Sequence, residues 1–199
     1  MVRNVAEKKY FVFYKPYRVL SQFTSSDGRA CLSLFNFPKD CYPVGRLDYD
    51  SEGLLIITND KALNRKLLNP RYRHRRTYYV QVEGIPLQND LVKLSNGVEI
   101  NIDGIPYRTL PAIVEVLDRE PNLPERVPPI RFRKDVPTTW LSITLTEGKN
   151  RQVRKMTAKI GYPTLRLVRF SIEKLNIEGF DSGEIRQFNK EKIIKLLNL

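Results

Sequence analysis

Gly45-Arg46-Leu47-Asp48-Tyr49-Asp50-Ser51-Glu52-Gly53-Leu54 sets a carboxylate just ahead of the apolar run Leu54-Leu55-Ile56-Ile57. An acid at the mouth of a buried strand is unfavourable unless it has a task. Gly45 and Gly53 bracket the segment and permit tight backbone turns, so Asp48 is expected to project from a constrained loop and not from a solvated helix face. That geometry suits a catalytic carboxylate.

Outward from this loop, aromatic and β-branched runs recur at residues 10–14, 54–58, 78–82, 112–117, 140–145 and 165–171, each bounded by Gly, Pro, Asn or Asp, and read as strands. Helical patterns fall between them at 61–68 after Asp60, 88–94 after Pro86, 151–160 after Asn150 and 190–197 after Asn189. Strands and helices mixed without regular βαβ alternation imply an α+β fold. In the third helix Val153, Met156 and Ile160 form an apolar stripe that Gly161 stops. Arg154 lies one position from Val153, at the buried margin, where a guanidinium could reach inward to Asp48. Five prolines between Pro121 and Pro137 make a long loop carrying Arg131, Arg133 and Lys134, either a linker or an RNA-facing element.

The chain has 199 residues and a formal net charge of +12. Residues 61–82 contain seven Lys or Arg and no acid, and residues 148–172 contain seven more, again with no acid. These two stretches alone exceed the net excess, and Tyr72, Tyr78, Tyr79, Met156 and Tyr162 are interleaved with them, which favours nucleic-acid contact over a disordered basic tail. Cys31 and Cys41 are too few for a zinc motif or a disulfide framework and are expected to be reduced. No signal peptide and no run of ~20 apolar residues is present, so no membrane association and a cytoplasmic location are expected. Asp48, Asp50 and Glu52 copy the opening of a calcium loop, but the twelfth position is Asn59 and the closing half is apolar. A single histidine, His74, argues against histidine-based chemistry, and Gly148-Lys149-Asn150 lacks P-loop spacing.

Four blocks in order cover most of the chain: Lys15-Pro16 with Val19-Leu20; the Asp48 loop with Thr58-Asn59-Asp60; Arg76-Thr77-Tyr78-Tyr79-Val80; and Glu147-Gly148-Lys149-Asn150-Arg151-Gln152-Val153-Arg154-Lys155-Met156, followed by Gly161-Tyr162-Pro163 and Leu165-Arg166-Leu167-Val168-Arg169. Together they resemble the ribosomal RNA pseudouridine synthases, in the branch that includes the small-subunit rRNA enzyme. Many relatives in that branch carry an N-terminal RNA-binding module, whereas here the first strand starts at Tyr10, as in the large-subunit enzymes of the E type. The expectation is one catalytic domain over residues 1–199, with a mixed, mostly antiparallel sheet in two lobes about a basic cleft and flanking helices.

The resemblance implies isomerisation of a uridine in 23S rRNA, in domain V by analogy, with no cofactor and no metal, by a monomer. An RNA-binding assembly factor that keeps the fold and a transfer RNA substrate are the alternatives. It also implies Asp48 as nucleophile at C1′ or base at C2′, Tyr78 as the active-site tyrosine and Arg154 as the partner that holds Asp48. On strand alternation Tyr79 should face away from Tyr78. Asp50 and Glu52 are expected to be solvated or to support Asp48 from behind. RNA contact is expected from Lys15, Arg46, Arg71, Arg73, Arg75, Arg76, Lys149, Asn150, Arg151, Lys155, Arg166 and Arg169.

Overall fold

The computed structural model describes residues 7–130 and 135–199. The strands are β1 (Tyr10–Lys15), β2 (Tyr42–Pro43), β3 (Glu52–Thr58), β4 (Arg76–Glu83), β5 (Glu99–Ile102), β6 (Ile105–Arg108), β7 (Ile113–Val116), β8 (Thr138–Leu145), β9 (Thr164–Ile172), β10 (Leu175–Asn176) and β11 (Ile185–Phe188). The helices are α1 (Lys61–Leu68), α2 (Gln88–Ser95), α3 (Gln152–Lys159) and α4 (Lys190–Leu196). All six strands and four helices expected from the sequence are present, in an α+β arrangement. Arg131, Arg133 and Lys134 of the proline-rich loop lie outside the described residues.

One nine-stranded sheet runs β11-β1-β3-β9-β4-β8-β7, with β2 added to β3 and β10 to β9. Its pairs are antiparallel except β3 with β9, which run parallel and match only Glu52 with Val168 and Gly53 with Arg169. The joint between the two halves of the sheet is therefore two residue pairs long. Beyond it the next carbonyl of β3, at Leu54, accepts its hydrogen bond from the Arg169 side chain, Nε to O 2.8 Å. Gly53 is required at this joint. A Cβ there would sit 2.4 Å from the Arg169 carbonyl oxygen, and φ is +101°.

Each half has its own core. Alternation along β1 and β3 sends Tyr10, Val12, Tyr14, Leu54 and Ile56 to one face, where α1 and α4 cover them through Leu63, Leu67, Ile193 and Leu197. Phe11, Phe13, Leu55 and Ile57 go to the other face, beneath Val19, Leu32, Cys41 and Leu47 of the long segment that follows β1. β4 and β8 pack Val80, Val82, Leu141 and Ile143 against Leu91 and Leu94 of α2 and Val153 and Met156 of α3.

The helix starts show why the sequence signals worked. Asp60 accepts from the amides of Ala62 and Leu63, and Asn189 from that of Lys192, both as N-caps. Asn150 does not cap α3. Arg151 occupies the cap position in the left-handed region at φ 51°, and Gln152 Oε1 accepts from the Lys149 amide at 2.9 Å instead. The β5–β6 hairpin was not expected, although its Asp103-Gly104 turn, with both φ values positive, is a strong hairpin signal. Cys31 and Cys41 are free and buried. No helix of the described residues is long and apolar enough to cross a membrane.

Candidate active site

Where the sheet splays beyond the β3–β9 joint, a cleft of about 880 Å³ opens, lined from one half by the β2–β3 loop and from the other by β4, β9 and the start of α3. Asp48 and Tyr78 both line it, with Arg46, Arg73, Arg76, Lys149, Asn150, Arg151 and Arg169. A smaller depression of about 460 Å³, between Asp90, Arg108 and Lys159, contains none of the expected site residues.

The loop carrying Asp48 is fixed from several sides. Ser21 Oγ donates to the Leu47 carbonyl at 2.8 Å and accepts from the Leu47 amide at 3.0 Å. The Arg18 amide donates to the Tyr49 carbonyl at 2.8 Å, and the Ser51 amide closes a turn onto the Asp48 carbonyl at 3.1 Å. The backbone on both sides of Asp48 is thus pinned while its side chain stays 37% exposed in the cleft. Ser21 lies 26 residues from Leu47 in sequence and carries no local signal, so reading the sequence missed it.

The arginines are distributed differently from the expectation. Arg154 does not pair with Asp48. Its Nη2 donates to the Asp50 carbonyl at 2.5 Å, and its Nε lies 3.4 Å from Asp50 Oδ2. Arg151 takes the bidentate position on Asp50, at 2.8 Å to each oxygen, and is the cation nearest Asp48 among the described residues, Nη1 to Oδ2 3.6 Å. The Arg151 hydrogen bonds hold the Asp50 carboxyl below the usual carboxylate range, and Asp50 in turn raises Arg151. Burial lowers Arg154, with Asp50 opposing the shift. Arg154 therefore grips the loop two residues beyond Asp48, and Arg151, expected to bind phosphate, is already engaged by two acids. The reason is reach: the left-handed turn at Arg151 carries its side chain across to the loop, while Arg154, one helical turn later, meets the loop backbone.

Tyr78 of β4 faces the cleft opposite Arg169 of β9, at a register shift between Thr77 and Tyr78. Tyr79 turns away, as alternation requires, and stacks on Phe170 at 4.3 Å; burial raises its hydroxyl pKa.

Three residues expected to contact RNA are interior. Lys15 is fully buried, donates to the carbonyls of Pro16 and Val19 at 2.8 Å each, and is pushed down to about 7 by burial, with Glu52, Asp48 and Asp50 opposing. Arg166 is 7% exposed and pairs with Glu52 through two bonds of 3.0 and 2.9 Å, so Glu52 is not solvated either. Arg169 is 5% exposed and lowered by burial. Desolvation and internal acceptors remove these three from the phosphate-gripping set.

The other expected contacts stand at or near the surface. Arg76 lines the cleft while donating to the carbonyls of Leu67 and His74. Lys149 lies 4.7 Å above the Tyr107 ring. Arg71 and Arg75 are exposed and Lys155 half-buried, all three outside the cleft lining. His74 is buried against Glu173 at 3.1 Å, a structural contact. A hub at Glu147 also went unforeseen: it accepts from Tyr107 Oη at 2.5 Å, the Leu110 amide at 2.8 Å and Gln152 Nε2 at 2.7 Å, tying β6 and the chain just after it to α3.

The two-pair joint of the mixed sheet thus brings Asp48 and Tyr78 to one cleft. The chain belongs to the RNA pseudouridylate synthase family, whose model matches residues 9–159. It is 50% identical over 184 residues to ribosomal large subunit pseudouridine synthase E of Vibrio parahaemolyticus, covering 92% of this chain and 75% of that protein. It is 52% identical over 160 residues to the protein of the same name from Xanthomonas axonopodis, covering 79% and 82%. The fold matches a solved pseudouridylate synthase with a TM-score of 0.77 at 25% identity, over 97% of this chain and 75% of that one.

Proposed function

We propose that this protein converts a uridine of 23S ribosomal RNA to pseudouridine, with Asp48 as the reacting carboxylate, either nucleophile at C1′ or base at C2′. The reaction breaks the N1–C1′ bond, turns the uracil and joins C5 to C1′. The proton lost from C5 is matched by the one gained at N1, so no redox partner or external group is consumed. The large-subunit names of the relatives support the substrate class, and domain V is carried over from the E-type resemblance.

The observation that carries the reading is the pinned Asp48 loop at the cleft, with Tyr78 on the opposite wall. A stacked or paired uridine hides its glycosidic bond, so the base must be extruded into the cleft, at a cost of a few kcal/mol. Tyr78 offers a ring to stack on it and a hydroxyl that donates a hydrogen bond to it. Arg46, Arg73, Arg76, Lys149 and Asn150 at the cleft, with Arg71, Arg75 and Lys155 beyond it, are the groups left to grip phosphates and offset that extrusion. Arg154 acts as a positioning residue, holding the loop through Asp50. The resemblance to bacterial large-subunit rRNA enzymes supports action in the cytoplasm, and a monomer is carried over with it.

The test is Asp48→Asn. It removes an anion and no phosphate contact, so isomerisation should vanish while RNA affinity stays within roughly threefold of wild type. Turnover by the pure variant would refute the assignment.

A further inference from the structure

We propose that Arg169 is the positioning residue of Tyr78, its guanidinium donating to the phenolic oxygen so that the phenolic hydrogen points into the cleft. The inference rests on the reading of Tyr78 given above and assigns the group that aims it.

The two residues are direct cross-strand partners on β4 and β9, and both line the cleft. Cross-strand partners on one face of a sheet bring their side chains together. Arg169 sits at the joint of the two sheet halves, where its Nε is spent on the Leu54 carbonyl at 2.8 Å. That bond fixes the plane of the guanidinium. Its Nη2 is buried and reaches no acceptor at strict hydrogen-bonding geometry, and no carboxylate lies within ion-pair distance of Arg169 among the described residues. The side chain whose hydroxyl faces the guanidinium and favours its charge is Tyr78, while Arg76 opposes that charge.

A guanidinium kept dry without a carboxylate is unfavourable unless its remaining donors are used. Arg166, three residues earlier on the same strand, is the contrast, since Glu52 takes two of its donors and leaves it no free role in the cleft. Arginine has donors only, so a phenolic oxygen beside it can only accept. The phenolic hydrogen is then left to point elsewhere, and the open side of Tyr78 is the cleft. A neighbouring acid would reverse this, drawing the hydrogen away from the substrate, as Asp60 does with the hydroxyl of Tyr10 at 2.8 Å.

The experiment is a kinetic cycle of single-turnover rates at saturating RNA for wild type, Arg169→Met, Tyr78→Phe and the double variant. Arg169→Met should slow the wild-type enzyme by about tenfold or more, yet slow the Tyr78→Phe enzyme by less than about twofold, with RNA affinity little changed throughout. Equal slowing in both backgrounds, or none in either, overturns the inference. If Tyr78→Phe alone runs at the wild-type rate, the tyrosine's catalytic role falls first and Arg169 has nothing to position. A second measurement leaves Arg169 in place and so holds even if its variants do not fold. In the ¹⁵N–¹H spectrum, Tyr78→Phe should shift the guanidinium signals of Arg169 and leave those of Arg166 unmoved. Unchanged Arg169 signals overturn the inference.

Discussion

Replacing Gly53 by alanine should damage the molecule where strand pairing joins its two halves, between β3 and β9. The new Cβ would lie 2.4 Å from the Arg169 carbonyl oxygen, 2.9 Å from its amide nitrogen and 2.9 Å from Val168 Cγ1, with φ held at +101°. Two of these neighbours are backbone, so no side-chain rotation relieves the contact. The left-handed backbone costs about 1–3 kcal/mol for a residue with a Cβ, and overpacking adds about 1–3 kcal/mol. Together they amount to roughly 4 kcal/mol, a large share of the 5–15 kcal/mol that holds a typical domain folded. With a urea m-value of about 2 kcal/mol per molar, the unfolding midpoint should fall by about 2 M. Gly104→Ala is the control, because φ there is +89° with nothing within 4 Å of the added Cβ, so it carries only the backbone contribution. Any folded Gly53→Ala protein should also react slowly at saturating RNA, since spreading β3 from β9 moves Asp48 relative to Tyr78. A midpoint no lower than that of Gly104→Ala, together with an unchanged rate, would refute the claim that this contact sets the width of the cleft.

Further outcomes follow from the charged interior. Lys15, pushed down to about 7 in the folded state, has an unfolded pKa of about 10.4, so between those values the unfolded chain binds more protons and stability should rise with pH. Its contribution is about 1.4 kcal/mol per pH unit between about pH 7 and pH 10, absent below pH 7 where both states are protonated; urea melts of Lys15→Met should lack that slope, and equal slopes in both proteins would refute the assignment. Glu52→Gln should destabilise the fold by about 3–5 kcal/mol by stranding the buried Arg166; an unchanged urea midpoint would refute the buried pair. Arg154→Lys keeps the charge but loses the forked grip on the carbonyl and carboxylate of Asp50, so its single-turnover rate should remain about tenfold low at saturating RNA. Full rescue by RNA would make Arg154 a phosphate contact.

The sequence by itself determined the class of fold, the strands and helices that build it and the loop that presents Asp48, because these depend on local signals. Alternation along residues 10–14 and 54–58, Asp60 and Asn189 at helix starts, and the turn at Gly45 each act within a few residues. It also placed Tyr78 and Tyr79 on opposite faces of β4, since a strand's period of two needs no knowledge of its neighbours. Only the tertiary structure decided what each basic residue is for. Lys15, Arg166 and Arg169 look in sequence like the arginines and lysines around them. Their burial follows from the partners brought to them: the carbonyls of Pro16 and Val19, the carboxylate of Glu52 and the carbonyl of Leu54. The same holds for the exchange between Arg151 and Arg154, three residues apart on a helix start, where a left-handed turn and the position of the Asp50 loop across the sheet joint set which guanidinium reaches which oxygen. Charge is written in the sequence, but whether a charge meets water, an acid or a carbonyl depends on residues as far as 115 positions away.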